Sequence, residues 1–195
     1  TIPSITAAAR DAFFQLQFTP GRKTIFEGVN RVLPGETLIV AQGRIVERLR
    51  RPALPDGGPE AWSEAEAEQL LDAALEDSVM VHQRADVPYG MFLSGGIDST
   101  AVLTMMARLN DHPVRAFTIG FPDSRAAHDE RDQARAVARA VGAEHVEVEF
   151  READFWALLP QVAAHLDDPV ADYAALPTFK LAAAADGLKV VLTGE

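Results

Sequence analysis

The sequence predicts an α/β protein built on a doubly wound parallel sheet, and three observations carry that prediction. From residue 88 onward, strand-like and helix-like stretches alternate in the order β-α-β-α-β-α-α-β. The strands at both ends of this series are nearly all apolar, as expected for strands covered on two faces. Short turns at residues 94–99, at Ile119-Gly120 and at Thr193-Gly194-Glu195 each follow the carboxyl end of a strand. In open parallel sheets that edge, beside the point where the strand order reverses, is where ligands bind.

The elements follow in order. Residues 6–18 form a short, partly helical apolar segment, and residues 24–36 are rich in turns. Thr37-Leu38-Ile39-Val40, then Gln42-Gly43, then Arg44-Ile45-Val46-Glu47-Arg48-Leu49 predicts a β-hairpin. A lone hairpin is marginal in water, so it is expected to belong to a larger sheet. Residues 50–59 hold three Pro and two Gly and read as a linker. Ser63 with Glu66 makes a capping box for a helix whose Leu70, Leu71, Ala74, Leu75 and Val79 recur at helical spacing and predict one buried face. The apolar run into Leu93 is a buried strand. After the Ser-Gly-Gly turn, Ala101, Val102, Met105, Met106 and Leu109 mark the next helix, in which the methionines are core filler.

Residues 114–120 form the following strand. A helix begins near Asp129 and is stopped by Gly142. Residues 145–150 alternate as a strand with one wet face. Asp154 is expected to cap a helix through Leu166 that carries Pro160, and a turn-rich stretch with Asp167, Asp168 and Asp172 precedes another helix. Asp186-Gly187 breaks that helix before the last apolar strand at residues 189–193.

Bulk properties narrow the function. The 195 residues are 48% hydrophobic, enough for a real core, and hold one domain or one domain plus a piece of another. Cysteine is absent, which excludes disulfides, thiolate zinc sites and a thiol nucleophile. The net charge of -11 argues against nucleic acid, whose phosphates need neutralising Lys and Arg. No apolar run approaches the about 18 residues needed to span a membrane, and no signal peptide opens the chain. A cytoplasmic protein with small-molecule partners is therefore expected, with the oligomeric state, a homodimer included, left open.

The stretch Leu93-Ser94-Gly95-Gly96-Ile97-Asp98-Ser99-Thr100 carries the chemistry. A strand, a glycine turn and a helix N-terminus present free N–H groups and the positive end of a helix dipole, which favours an anion such as phosphate. Ser94, Ser99 and Thr100 add hydroxyls, and Asp98 is able to hold a cation, a ligand hydroxyl or merely the helix cap. No Lys follows the glycines, so the loop is not a Walker A motif. Nor does it fit the spacing of a dinucleotide fingerprint. The five histidines are scattered without ligand spacing.

This loop resembles the PP-loop of the ATP pyrophosphatase superfamily. The flanks are more specific: Thr24-Ile25-Phe26-Glu27-Gly28-Val29 through Leu33-Pro34-Gly35-Glu36 is similar to the end of the glutaminase domain of glutamine-hydrolysing asparagine synthetases. Ala116-Phe117-Thr118-Ile119-Gly120-Phe121, His128-Asp129-Glu130, Asp167-Asp168-Pro169 with Asp172, and Val190-Val191-Leu192-Thr193-Gly194-Glu195 fit the same family, so the resemblance runs from about residue 24 to residue 195. It implies residues 1–51 as the tail of an Ntn-type glutaminase (class II amidotransferase) domain, 52–62 as linker, and 63–195 as the N-terminal part of a synthetase domain.

The activity so implied is adenylation of a carboxylate, aspartate first, with release of pyrophosphate, followed by amide formation with ammonia from glutamine. ATP and Mg²⁺ are the implied cofactors. Ser94, Gly95, Gly96, Ser99 and Thr100 would bind the pyrophosphate moiety, Asp98 would ligate Mg²⁺, and Leu93, Ile119, Thr193 and Gly194 would line the adenosine pocket. Glu195 would stand at the acceptor carboxylate as the catalytic residue. For Asp167, Asp168 and Asp172, a site role and plain turn-building stay equally open.

Two departures from the family pattern stand out. Its glutaminase uses an N-terminal Cys, absent here, and its acidic Gly-rich stretch beyond the last motif, supplying a second Mg²⁺ ligand, is also absent. The chain is therefore expected to be a fragment that is inactive by itself. The alternatives are a related amidoligase acting on another carboxylate, or a non-catalytic ATP-binding module.

Overall fold

The computed structural model describes residues 4–52, 54, 57–123, 129–169 and 171–194. The chain divides into two compact units, Thr1–Ala61 with Ala163–Asp172, and Trp62–Val162 with Tyr173–Glu195.

In the first unit, helix α1 (Ala7–Leu16) starts at Thr6, whose side chain accepts the Ala9 N–H, and ends at Gln17 in the left-handed region. Strands β1 (Glu36–Ala41) and β2 (Arg44–Arg50) pair antiparallel, as the alternation around Gln42-Gly43 predicts. Both turn residues have positive φ, 50° and 71°, the twist a tight hairpin requires. The larger sheet expected around this hairpin is not present among the described residues: the sheet has two strands, and Ile39, Val40, Ile45, Val46 and Leu49 are exposed. The hairpin base is held instead by Glu36. Its carboxylate accepts a two-pronged bond from Arg22 (2.7 and 2.8 Å), one from Arg48 (3.0 Å) and one from the Leu33 N–H (2.9 Å).

The second unit opens with α2 (Glu64–His82), whose capping box forms as predicted: Ser63 accepts from the Glu66 N–H while the Glu66 carboxylate accepts from Ser63. The predicted buried face of this helix is only partly buried. Val79 is buried and Leu75 packs on the core, but Leu70 and Leu71 are 49% and 60% exposed. Apolar spacing shows which face a helix is able to bury, not what covers it.

Then follow β3 (Tyr89–Phe92), α3 (Ile97–Leu109), β4 (Arg115–Gly120), α4 (Arg131–Val141), β5 (Glu144–Glu149), α5 (Glu152–His165), α6 (Ala175–Ala184) and β6 (Val190–Leu192). All four strands are parallel, in the order β5-β4-β3-β6. The chain steps from β3 out to β5 and returns to place β6 on the other side of β3. The reversal at β3/β6 is the switch point of a doubly wound sheet.

Alternation along the strands sends side chains to two cores. Met91, Leu93 and Ala116 pack with Val79, Leu103, Met106, Ala134 and Ala138 from α2, α3 and α4. Phe92, Phe117 and Val191 pack with Leu181 and Ala185 from α6, next to a cluster of Phe150, Val162 and Leu176 that brings in α5. Met105 and Met106 are buried as predicted, joined by Leu103, which is fully buried. Gly142 ends α4 in the left-handed conformation. Helix α5 begins two residues before the expected cap. Asp154 does not precede it but sits in its first turn, accepting the Arg151 N–H at 2.7 Å and pairing with Lys180 at 2.6 Å. No described helix is long and apolar enough to cross a membrane.

A candidate nucleotide-binding crevice

The crevice is set by the turn after β3, the turn after β6 and the end of β4, in which Ile119-Gly120, expected as a turn beyond the strand, is still strand. Leu93, 2% exposed, extends β3 by one rung through its N–H to the Phe117 carbonyl (2.8 Å). The chain then turns through Ser94 and Gly95 into Gly96, the N-cap of α3, which has no side-chain cap. The first helical bond runs from the Thr100 N–H to the Gly96 carbonyl (3.0 Å), so the N–H groups of Ile97, Asp98 and Ser99 have no intrahelical acceptor.

Glycine is required at two places here. Gly95 has φ +81°, and a Cβ on it would lie 2.9 Å from the Ala134 nitrogen; its carbonyl accepts from the Gln133 side chain at 2.6 Å. A Cβ on Gly194, after β6, would lie 2.7 Å from the Ser99 Cα and 2.9 Å from the Asp98 carbonyl carbon. The β6 turn therefore rests directly on the first turn of α3.

The loop hydroxyls are ordered among themselves. Ser99 Oγ donates to the Gly96 carbonyl (3.2 Å), so across the 3.0 Å contact between the two hydroxyls Ser94 is the donor, and Ser94 Oγ accepts from the Gly96 N–H (3.2 Å). The loop hydroxyls are thus bonded within the loop, whereas the N–H groups of Ile97, Asp98 and Ser99 have no intrahelical acceptor.

Between the two turns and the end of β4 lies a cleft of about 260 Å³ that brings together Leu93, Ser94, Gly96, Asp98, Ser99, Ile119, Thr193 and Gly194 of the residues singled out in the sequence. Gly95 and Thr100 stand outside its lining; the first faces α4, and the second contributes its N–H to the turn of α3. Glu195 and His128 lie outside the described residues. Asp168 is engaged in the other unit, where Arg31 bonds both its carboxylate and Thr19. Sequence reasoning missed Phe92, Thr118, Glu130, Thr178 and Leu181 as lining residues. A Thr among the apolar residues of α6 was the available signal for Thr178.

The charged lining of the cleft is acidic. Among the described lining residues there are two carboxylates, Asp98 and Glu130, and no Lys or Arg. The nearby Arg131 guanidinium packs over Gly120 and is held by Asp129 with bonds of 2.5, 2.9 and 3.0 Å. Those bonds hold the Asp129 carboxyl down at about 2.

Such a crevice, at the switch point of a parallel sheet beside a glycine turn and a helix N-terminus, defines a doubly wound α/β protein with a candidate anion site. The asparagine synthase family model matches residues 70–195, and the chain belongs to this family. It is 38% identical over 184 residues to a putative asparagine synthetase [glutamine-hydrolyzing] of Mycobacterium bovis, covering 92% of this chain and 28% of that protein. Against asparagine synthetase [glutamine-hydrolyzing] 1 of Bacillus subtilis it is 32% identical over 194 residues, covering 98% of this chain and 30% of that one. The chain thus spans under a third of the length of these relatives. A solved NH3-dependent NAD synthetase from Campylobacter jejuni superimposes with a TM-score of 0.42 at 16% identity, covering 63% of this chain and 54% of that one.

Proposed function

We propose that residues 63–195 are the ATP-binding part of a synthetase domain that activates a carboxylate, aspartate first, as its acyl-adenylate. Residues 1–51 are the tail of a glutaminase domain, with 52–62 as linker, and glutamine is the source of ammonia. The observation that carries this reading is the loop 94–99 at the β3/β6 switch point, where the N–H groups of Ile97, Asp98 and Ser99 have no intrahelical acceptor and Ser94, Gly96, Asp98 and Ser99 line the cleft.

The residues divide the work. The turn at Ser94-Gly95-Gly96 and the N–H groups of Ile97, Asp98 and Ser99 hold the β- and γ-phosphates, with Thr100 fixing the turn from behind. Leu93, Ile119, Thr193 and Gly194 enclose the adenosine. A carboxylate oxygen of the acceptor attacks the α-phosphorus, the bond to the β-bridging oxygen breaks, and pyrophosphate leaves. Ammonia then attacks the acyl carbon, AMP departs, and the nitrogen loses its proton to give the amide. We assign Glu195 to the acceptor side of this site.

A cleft with two carboxylates and no lining cation fits Mg²⁺ rather than opposing it, because this ion binds through one or two carboxylates together with substrate phosphates. Asp98 would hold it, and bound there it would offset the charge building on the leaving pyrophosphate. The reading sets the reaction in the cytoplasm.

The complete protein, given ATP, Mg²⁺, glutamine and aspartate, is expected to yield asparagine, AMP and pyrophosphate. Asp98→Asn is expected to slow pyrophosphate release by about a hundredfold or more, the scale of losing one preorganised charge-stabilising group. Formation of ADP and phosphate would overturn the mechanism.

A further inference from the structure

From Thr118, which lines the cleft, a chain of polar contacts runs back to β5, and the proposed chemistry assigns it no role. Thr118, 2% exposed, donates its hydroxyl to the Leu93 carbonyl at 2.6 Å. That hydroxyl has one proton. Its 2.8 Å contact with His145 Nε2 must therefore be donated by the ring, which fixes His145 with a proton on Nε2. The His145 side chain is 10% exposed. Its other nitrogen lies 3.7 Å from Glu147, whose carboxylate is taken by Arg135 with bonds of 2.7 and 2.9 Å. Burial lowers the His145 pKa, with Glu147 raising it and Arg135 lowering it.

The Leu93 carbonyl is not an ordinary rung of the ladder. It belongs to the peptide unit shared with Ser94, and that unit is planar. Holding its oxygen sets the direction of the Ser94 N–H on its opposite edge, at the entrance to the Ser94-Gly95-Gly96 turn. We propose that Thr118 and His145 are positioning residues for this loop: hydroxyl and ring hold the Leu93 carbonyl, and with it the peptide plane that presents the Ser94 N–H. The proposal rests on the phosphate-binding reading of the loop for its functional consequence, though not for its structural one.

Thr118→Val keeps the shape and removes the hydroxyl. In the ¹⁵N-labelled chain it is expected to shift the amide signals of residues 94–99 well beyond those of equally distant amides. It is also expected to weaken Mg²⁺-pyrophosphate binding by about five- to tenfold, the scale of one lost hydrogen bond. Thr118→Ser and His145→Gln, which keep the donors, restore both; His145→Leu reproduces the loss. The ¹⁵N signals of His145 report the Nε2–H tautomer, which a purely space-filling ring would not be held to. The inference is overturned if Thr118→Val leaves the loop amides and the affinity unchanged, or if Thr118→Ser fails to restore them. The amide readout needs no ligand. A wild-type chain that does not bind pyrophosphate would therefore sink the phosphate reading and leave the amide comparison to decide the positioning role.

Discussion

Glu36 and His145 are both shifted from their ordinary behaviour, and both shifts lead to a loss of stability in acid. The Glu36 carboxyl is 5% exposed and is held down at about 2, first by Arg22, then by the Leu33 N–H and by Arg48. With its folded value below the unfolded one, its stabilisation is complete above about pH 4.5 and disappears as pH falls toward 2. His145 is lowered by burial, so the unfolded chain takes up a proton there first, and stability declines as pH falls below about 6.5. We expect thermal melts between pH 7.5 and 3 to show two declines. His145→Gln should remove the upper one and Glu36→Gln the lower one. A melting profile unchanged by either variant would contradict the assignments. Neither group was legible in the sequence: Glu36 sits in a turn-rich stretch, and His145 looked like one of five scattered histidines. Their roles come from Arg22 and Arg48, 14 and 12 residues from Glu36, and from Thr118, 27 residues from His145, which local spacing does not show.

At the scale of elements, the loop and the neighbouring β6 turn depend on close backbone approach. Gly194→Ala would drive a Cβ against Ser99 and Asp98, overpacking that costs about 1–3 kcal/mol and lifts the β6 turn off α3. Gly142→Ala meets open space and carries only the penalty of its φ of +71°, about 1–2 kcal/mol. We expect similar losses of stability from the two, but weakened Mg²⁺-pyrophosphate binding only from Gly194→Ala, measured by calorimetric titration. Equal affinity in both variants would contradict the placement of Gly194. The strands, the glycine turn and most helix boundaries were readable because each depends on local pattern: apolar runs, a capping box at Ser63 and Glu66, a stop at Gly142. The buried face assigned to α2 was not, because Leu70 and Leu71 satisfy helical spacing yet remain exposed. Asp154 was misplaced by two residues for a related reason: a carboxylate serves a helix N-terminus from the first turn as well as from the cap.

Taken whole, the molecule joins an acidic chain to a cleft proposed to hold an anion. With a net charge of -11 and no basic side chain among the described lining residues, the cleft offers a phosphate only N–H groups and hydroxyls of its own, so the proposed function calls for a divalent cation. Polyphosphate binding is therefore expected to require Mg²⁺ and to vanish with EDTA, whereas a site built on Lys or Arg would keep binding without the metal. The doubly wound parallel sheet was legible in the alternation of elements, but its strand order, β5-β4-β3-β6, was not, since right-handed crossovers leave several arrangements open. Which residues turn into the cleft was not legible either: Thr118, Glu130 and Thr178 reach it from three separate elements. The central claim is that the acceptor carboxylate attacks the α-phosphorus of ATP held by residues 94–99. Its most direct test is isotope transfer in the complete protein with aspartate carrying ¹⁸O in its side-chain carboxylate. One ¹⁸O per turnover is expected in AMP, with unlabelled pyrophosphate; ¹⁸O in inorganic phosphate, with ADP as the nucleotide product, would contradict the claim.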